Sequence, residues 1–280
     1  MPSAAGITTH CSPPPSPVRM PSDRPLIAES RPLMSMRAQA IEGEALTYVL
    51  VTPEGYDPGA RYPLVVLLHG FGASMQDLVG LCPAIDATGY VYAFPNAPYA
   101  VDFGGGATGY SWSRGRPGAP SAPADGPSPE DLLAAFLDDV MERTGAAPGQ
   151  VLLGGFSQGA GLALRFGLPR RDVFAGLVVL SGAFRPSDDI ERLLPADPST
   201  GLRAGPSTGL RAGRTQPIFI AHGLFDPMVP IERGRATRAF LESMGYRPDY
   251  HEYEMAHEIS EELIYDLAPW IRSVLPPLGA

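Results

Sequence analysis

Apolar and polar positions divide the chain into short, fully apolar runs separated by amphipathic stretches. The runs Leu64 to Leu68, Val91 to Phe94, Val151 to Gly155, Leu177 to Leu180 and Ile218 to Ala221 read as strands covered on both faces, as in a parallel sheet packed inside helices. The alternation Leu46, Tyr48, Leu50 predicts the first strand, and Tyr250 to Tyr253 a late one. Between the runs, Pro129 to Arg143 places Leu132, Leu133, Phe136 and Val140 on one helical face, with Ser128 as cap and Pro129 at the first helical position. Further helices are expected at Gln158 to Gly167, Glu232 to Met244 and Glu258 to Val274. This alternation predicts an α/β fold with a mostly parallel central sheet flanked by helices. A chain of 280 residues could form one large domain or two small ones, and one is favoured.

Three segments stand outside the pattern. Residues 1–37 are crowded with Pro, Ser and Arg and lack a sustained apolar stretch for a secretory signal, so they read as a disordered leader to a domain at 38–280. Residues 100–127, rich in Gly, Pro and Ser, read as a long loop, either functional near a binding cleft or a mobile insertion. A second long loop is expected at 195–216, where the octapeptide PSTGLRAG occurs twice in tandem, at 198–205 and 206–213. So short a pair cannot build a solenoid, and a local duplication accounts for it.

Composition narrows the chemistry. All 21 basic residues are Arg. Without a Lys there is no Walker-type phosphate loop, no pyridoxal Schiff base and no Ser-x-x-Lys hydrolase. The formal charge of −9, spread along the chain, argues against nucleic acid as a partner. No run approaches the roughly 20 apolar residues of a membrane span, so stable membrane insertion is not expected and the location expected is cytoplasmic. Two cysteines, Cys11 and Cys82, have neither metal-ligand spacing nor a nucleophile motif, and neither a metal site nor a disulfide framework is expected.

The segment Val151 to Gly159 places G-x-S-x-G after an apolar strand and before an amphipathic helix, the context in which that motif exposes a nucleophile on a sharp turn. Ser157 is the candidate nucleophile. A serine hydroxyl needs an adjacent base, and in this strand-turn-helix context the order along the chain is Ser, acid, His. Of the histidines after Ser157, His222 ends a strand and is expected to bond backbone, while His251 lies within a strand. His257 stands on a loop between a strand and the last helix and is the candidate base. Asp226, on the loop after the Ile218 strand, is the candidate acid, ahead of Asp188, Asp189 and Asp249, whose polar settings suggest solvated carboxylates. Backbone N–H groups of Phe71 and Gln158 are the candidate oxyanion hole, and His69 is a packing or turn residue.

Together, L-L-H-G-F-G at 67–72, G-G-F-S-Q-G-A at 154–160, A-H-G-L-F-D-P-M-V-P at 221–230 and M-A-H-E at 255–258 resemble the carboxylesterase, phospholipase and acyl-protein thioesterase family of α/β-hydrolases over about residues 45–275. The resemblance implies a serine carboxylesterase acting on small-molecule esters of short to medium acyl chains, without a cofactor. It is also the ground for expecting a homodimer. Where the family usually carries a Trp-Phe-Asp element near the acyl pocket, this chain reads Trp112-Ser113-Arg114. Trp112 could line the pocket or anchor its loop to the core. A thioesterase or lysophospholipase with the same three residues, an amidase or peptidase, and a binding module on a hydrolase fold are the alternatives.

Overall fold

The computed structural model describes residues 36–114, 126–182, 184 and 216–279. Its centre is an eight-stranded sheet in the order β1-β2-β4-β3-β7-β8-β9-β10. The strands are β1 (Arg37–Glu42), β2 (Thr47–Thr52), β3 (Leu64–Leu68), β4 (Val91–Pro95), β7 (Val151–Phe156), β8 (Phe174–Leu180), β9 (Ile218–Gly223) and β10 (Asp249–Tyr253). From β4 to β10 every pairing is parallel, and only β1 with β2 and β2 with β4 run antiparallel. All five continuous apolar runs are therefore central strands, as the pattern predicts.

Alternate residues of these strands feed two cores. Leu64, Val66 and Leu68 of β3, with Val151 and Leu153 of β7, face one side. There they meet Leu133 and Phe136 of α2 (Pro129–Thr144), Leu164 and Phe166 of α3 (Gln158–Gly167), and Leu241 of α4 (Ile231–Ser243). Val65, Leu67 and Leu152 face the other side, against Cys82 and Ile85 of α1 (Cys82–Ile85) and Leu263, Leu267 and Ile271 of α5 (Glu261–Val274). Burial pushes the Cys82 thiol up to about 12, so it carries no thiolate at neutral pH and cannot serve as a nucleophile.

Caps set the helix limits. Ser128 accepts from the N–H of Asp131 while Asp131 accepts from the N–H of Ser128, a reciprocal box that starts α2 at Pro129. The last helix starts at Glu261 rather than Glu258, because Ser260 caps it by accepting from the N–H of Leu263.

The structure revises two expectations. A strand precedes the one predicted around Tyr48: β1 begins at Arg37, inside the segment read as leader. The stretch read as one loop from 100 to 127 begins as a hairpin, β5 (Tyr99–Asp102) with β6 (Thr108–Ser111). The hairpin is made by tertiary bonds: the N–H of Gly72 donates to Tyr110 O at 2.8 Å and that of Tyr110 to Ala73 O at 2.9 Å. Gly109 lies so close to the turn after β3 that a Cβ there would sit 2.0 Å from Gly72 O. The rest of the leader, the loop expected at 195–216 except its last residue, and the octapeptide pair lie outside the described residues. No helix among the described residues is long and apolar enough to cross a membrane.

Candidate active site

The chain leaves β3 for its neighbour β4 on one side, then crosses to β7 on the other. The carboxyl ends of β3 and β7 thus flank the switch point of the sheet, where open α/β sheets place their ligands. The turn after β3 carries Gly70 and Phe71, and that after β7 carries Ser157.

At Ser157 the backbone takes φ 54° and ψ −113°, a conformation side chains rarely adopt. It is held there by its N–H, which donates to Leu180 O at 2.8 Å. Such a turn requires the flanking glycines. A Cβ on Gly155 would sit 2.5 Å from the carbonyl carbon of Gly159, and one on Gly159 would sit 2.3 Å from Leu68 O.

Two further loops converge on this turn. After β9, the N–H groups of Leu224 and Phe225 donate to Tyr253 O and Met255 O, which clamps the loop bearing Asp226 to the loop bearing His257. A Cβ on Gly223 would collide with Ala256 O at 2.3 Å, so only Gly permits this approach. The result is a continuous hydrogen-bond chain. Ser157 Oγ lies 2.9 Å from His257 Nε2, and His257 Nδ1 lies 2.7 Å from Asp226 Oδ2. A carboxylate only accepts, so His257 carries its proton on Nδ1 and leaves Nε2 to accept from the Ser157 hydroxyl.

Asp226 is buried, and burial pushes its carboxyl up. The N–H of Val229, the His257 side chain and the N–H of Met228 outweigh that and hold it below the usual carboxylate range. Both backbone donors reach Oδ1 at 2.8 Å, leaving Oδ2 to His257.

The other histidines among the described residues are occupied elsewhere. His69 donates from Nδ1 to Gly70 O at 2.7 Å and accepts at Nε2 from the N–H of Ala97 at 3.0 Å. Burial, against the Gly70 bond, lowers its pKa. His251 pairs with Asp249 at 2.9 Å and stacks on Phe219. His222 is fully buried beside the Asp226 loop and donates from Nε2 to Val229 O at 2.7 Å. Asp188 and Asp189 lie outside the described residues.

Phe71, Trp112, Ser157, Gln158 and His257 all line one cavity of about 760 Å³, a size ordinary for small-molecule sites. Gly70 brings the β3 turn against the serine turn, since a Cβ there would lie 3.4 Å from Ser157 Cβ. Trp112 is both wall and anchor: it borders the cavity, and its indole N–H donates to His69 O at 2.9 Å.

Two contacts are not evident from motif or spacing. The Gln158 side chain accepts from the N–H of Trp112 at 2.9 Å and donates to Ser113 Oγ at 2.7 Å, tying the hairpin's exit to the serine turn. Phe156 packs on the His257 ring with centroids 4.7 Å apart. Nothing local signals the Gln158 clamp.

Comparison with known proteins identifies the family. The phospholipase/carboxylesterase family model matches residues 57–275. Acyl-protein thioesterase 1 of Kluyveromyces lactis is 28% identical over 226 residues, 76% of this chain and 92% of the relative. A probable carboxylesterase of Oryza sativa subsp. japonica is 29% identical over 225 residues, 75% and 77% of the two chains. Among solved structures, Arabidopsis thaliana SOBER1 superposes with a TM-score of 0.55 at 25% identity, covering 77% of this chain and all of that one (100%). A carboxylesterase from Mesorhizobium loti gives 0.59 at 20% identity over 84% and 98%, a likeness of fold. With the family model spanning most of the chain and the sheet, turn and three-residue hydrogen-bond chain in place, this protein belongs to the phospholipase/carboxylesterase family and is a serine hydrolase of the α/β-hydrolase fold.

Proposed function

We propose that Ser157, His257 and Asp226 are the catalytic triad of a carboxylesterase for short to medium acyl esters, with the N–H groups of Phe71 and Gln158 as its oxyanion hole. The observation that carries the reading is the unbroken chain of 2.9 Å and 2.7 Å contacts ending on a strained, cavity-facing serine. His257 Nε2 takes the Ser157 proton as Oγ attacks the ester carbonyl, and Asp226 stabilises the imidazolium. The tetrahedral oxyanion is held by two backbone donors, one at the start of α3, whose first N–H groups have no intrahelical acceptor. His257 then protonates the leaving alcohol. Water attacks the acyl-enzyme with His257 again as base, releasing the acid and restoring Ser157.

The test is turnover of p-nitrophenyl esters from acetyl to palmitoyl, together with mass analysis of the chain after a phosphonate directed at nucleophilic serines. Fast turnover of the short esters with the adduct on Ser157 supports the reading. An adduct elsewhere, or no turnover of any ester, removes it. The thioesterase alternative draws on the relative from Kluyveromyces lactis, and a rate climbing to the longest acyl chains would favour it. We also place the enzyme in the cytoplasm as a homodimer acting on small esters without nucleic acid; a monomer mass by light scattering would remove the dimer.

His222 gives a further prediction. Val229 donates its N–H to Asp226 and accepts on its carbonyl from His222, so the buried imidazole fixes the peptide that fixes the carboxylate. Replacing it by Phe strands the Val229 carbonyl and frees the loop. The kcat of His222→Phe should fall about tenfold, as for other second-layer supports, with KM little changed. A KM rise with constant kcat would show that the imidazole shapes the cavity instead.

A further inference from the structure

Among the described residues, the cavity holding Ser157 is walled by basic rather than acidic side chains, in a chain that is acidic overall. The formal charge is −9, yet the ionisable side chains in the cavity wall are Arg165, Arg233 and His257, with no Asp or Glu among the described residues. Arg165 is engaged by Glu130 at 2.5 Å. Arg233 is different. On the same helix, Arg235 holds both oxygens of Glu252 at 2.8 Å and Arg238 holds Glu242 at 2.7 Å. No described carboxylate pairs with Arg233, which stands exposed in the first turn of α4, beside Val229 and Pro230 of the same wall. A guanidinium stays charged at any working pH and presents a planar fork suited to a carboxylate or phosphate. A merely solvated arginine would have no bearing on which ester reacts.

We propose that Arg233 selects esters that carry an anionic group, carboxylate or phosphate, on the part of the substrate lying toward α4. The inference rests on the esterase reading above and names its substrate class. Arg233 binds and orients, and no bond is made or broken at it. Its field acts across a cavity partly shielded from solvent, where a charge is screened less than on an open surface.

Two matched substrate pairs test this and separate the source of the charge. In one the acyl part carries it, p-nitrophenyl monoadipate against p-nitrophenyl hexanoate. In the other the alcohol part carries it, 1-butyrylglycerol 3-phosphate against 1-butyrylglycerol. For at least one pair, the charged-to-neutral ratio of kcat/KM should be about tenfold higher in wild type than in Arg233→Gln. Arg233→Lys should retain part of that preference, and added salt should erode it in wild type. Equal ratios in wild type and Arg233→Gln for both pairs would overturn the proposal while leaving the esterase intact. Failure of wild type to turn over the neutral esters as well would overturn the esterase reading instead.

Discussion

Ser157→Ala should lower turnover of p-nitrophenyl butyrate by about five to six orders of magnitude. The change removes one oxygen, and with it both the attacking atom and the donor to His257 Nε2. Among the described residues no other group can take its place: Cys82 is buried in the opposite core with its thiol pushed up to about 12, and Ser113 Oγ in the cavity is bound by Gln158. The fold should survive, because the elbow is shaped by the bond from the Ser157 N–H to Leu180 O and by Gly155 and Gly159, none of which involves the hydroxyl. The melting temperature should therefore stay within a few degrees of wild type, a cost below about 1 kcal/mol for a domain of this size. Residual turnover above one hundredth of wild type, in protein free of contaminating esterase, would show that the acyl group is not carried on this serine.

How much of this was readable from the chain depends on where each signal comes from. The central strands are covered on both faces, so β3 and β7 are unbroken apolar runs that need no tertiary information to recognise. The serine turn is legible for a similar reason, since the contacts that forbid a Cβ at 155 and 159 act within a few residues or against the adjoining strand. Signals fail where tertiary contact makes the element. In β1 only Ile41 is buried, and Arg37, Gln39 and Glu42 face water, so the edge strand shows no alternation. The hairpin β5–β6 contains Gly104, Gly105 and Gly106, all at positive φ, and by composition reads as loop; it is ordered by Gly72 and Ala73, some 35 residues earlier. Local cues suggest Gln158 only as a backbone donor, because its side-chain partners lie just after that unrecognised hairpin. Arg233 is one of three arginines in α4, and which of them lacks a carboxylate depends on Glu252 arriving from β10.

Asp226→Asn should cost about four orders of magnitude in kcat while nearly preserving the shape of the site. Its severity follows from the two backbone donors. The N–H groups of Met228 and Val229 both point at Oδ1, so the amide oxygen of an asparagine must occupy that place and its NH2 must face His257. An NH2 only donates, which forces His257 to accept at Nδ1 and to carry its proton on Nε2. Nε2 then meets the Ser157 hydroxyl as a donor and cannot take its proton. Stability should respond to pH in a defined sense. The Asp226 carboxyl lies lower in the folded chain than its ordinary value, so its contribution is full above about pH 4 and is lost as pH falls through the lower folded value. Asparagine has no such dependence, and the stability gap between wild type and variant should narrow only on the acid side. Chemical denaturation of both proteins from pH 7 to pH 3, alongside kcat, measures the two effects separately. A variant that keeps more than a tenth of wild-type kcat would mean that Asp226 does not set the His257 tautomer, and the three residues would have to be regarded as packed neighbours rather than as a catalytic unit.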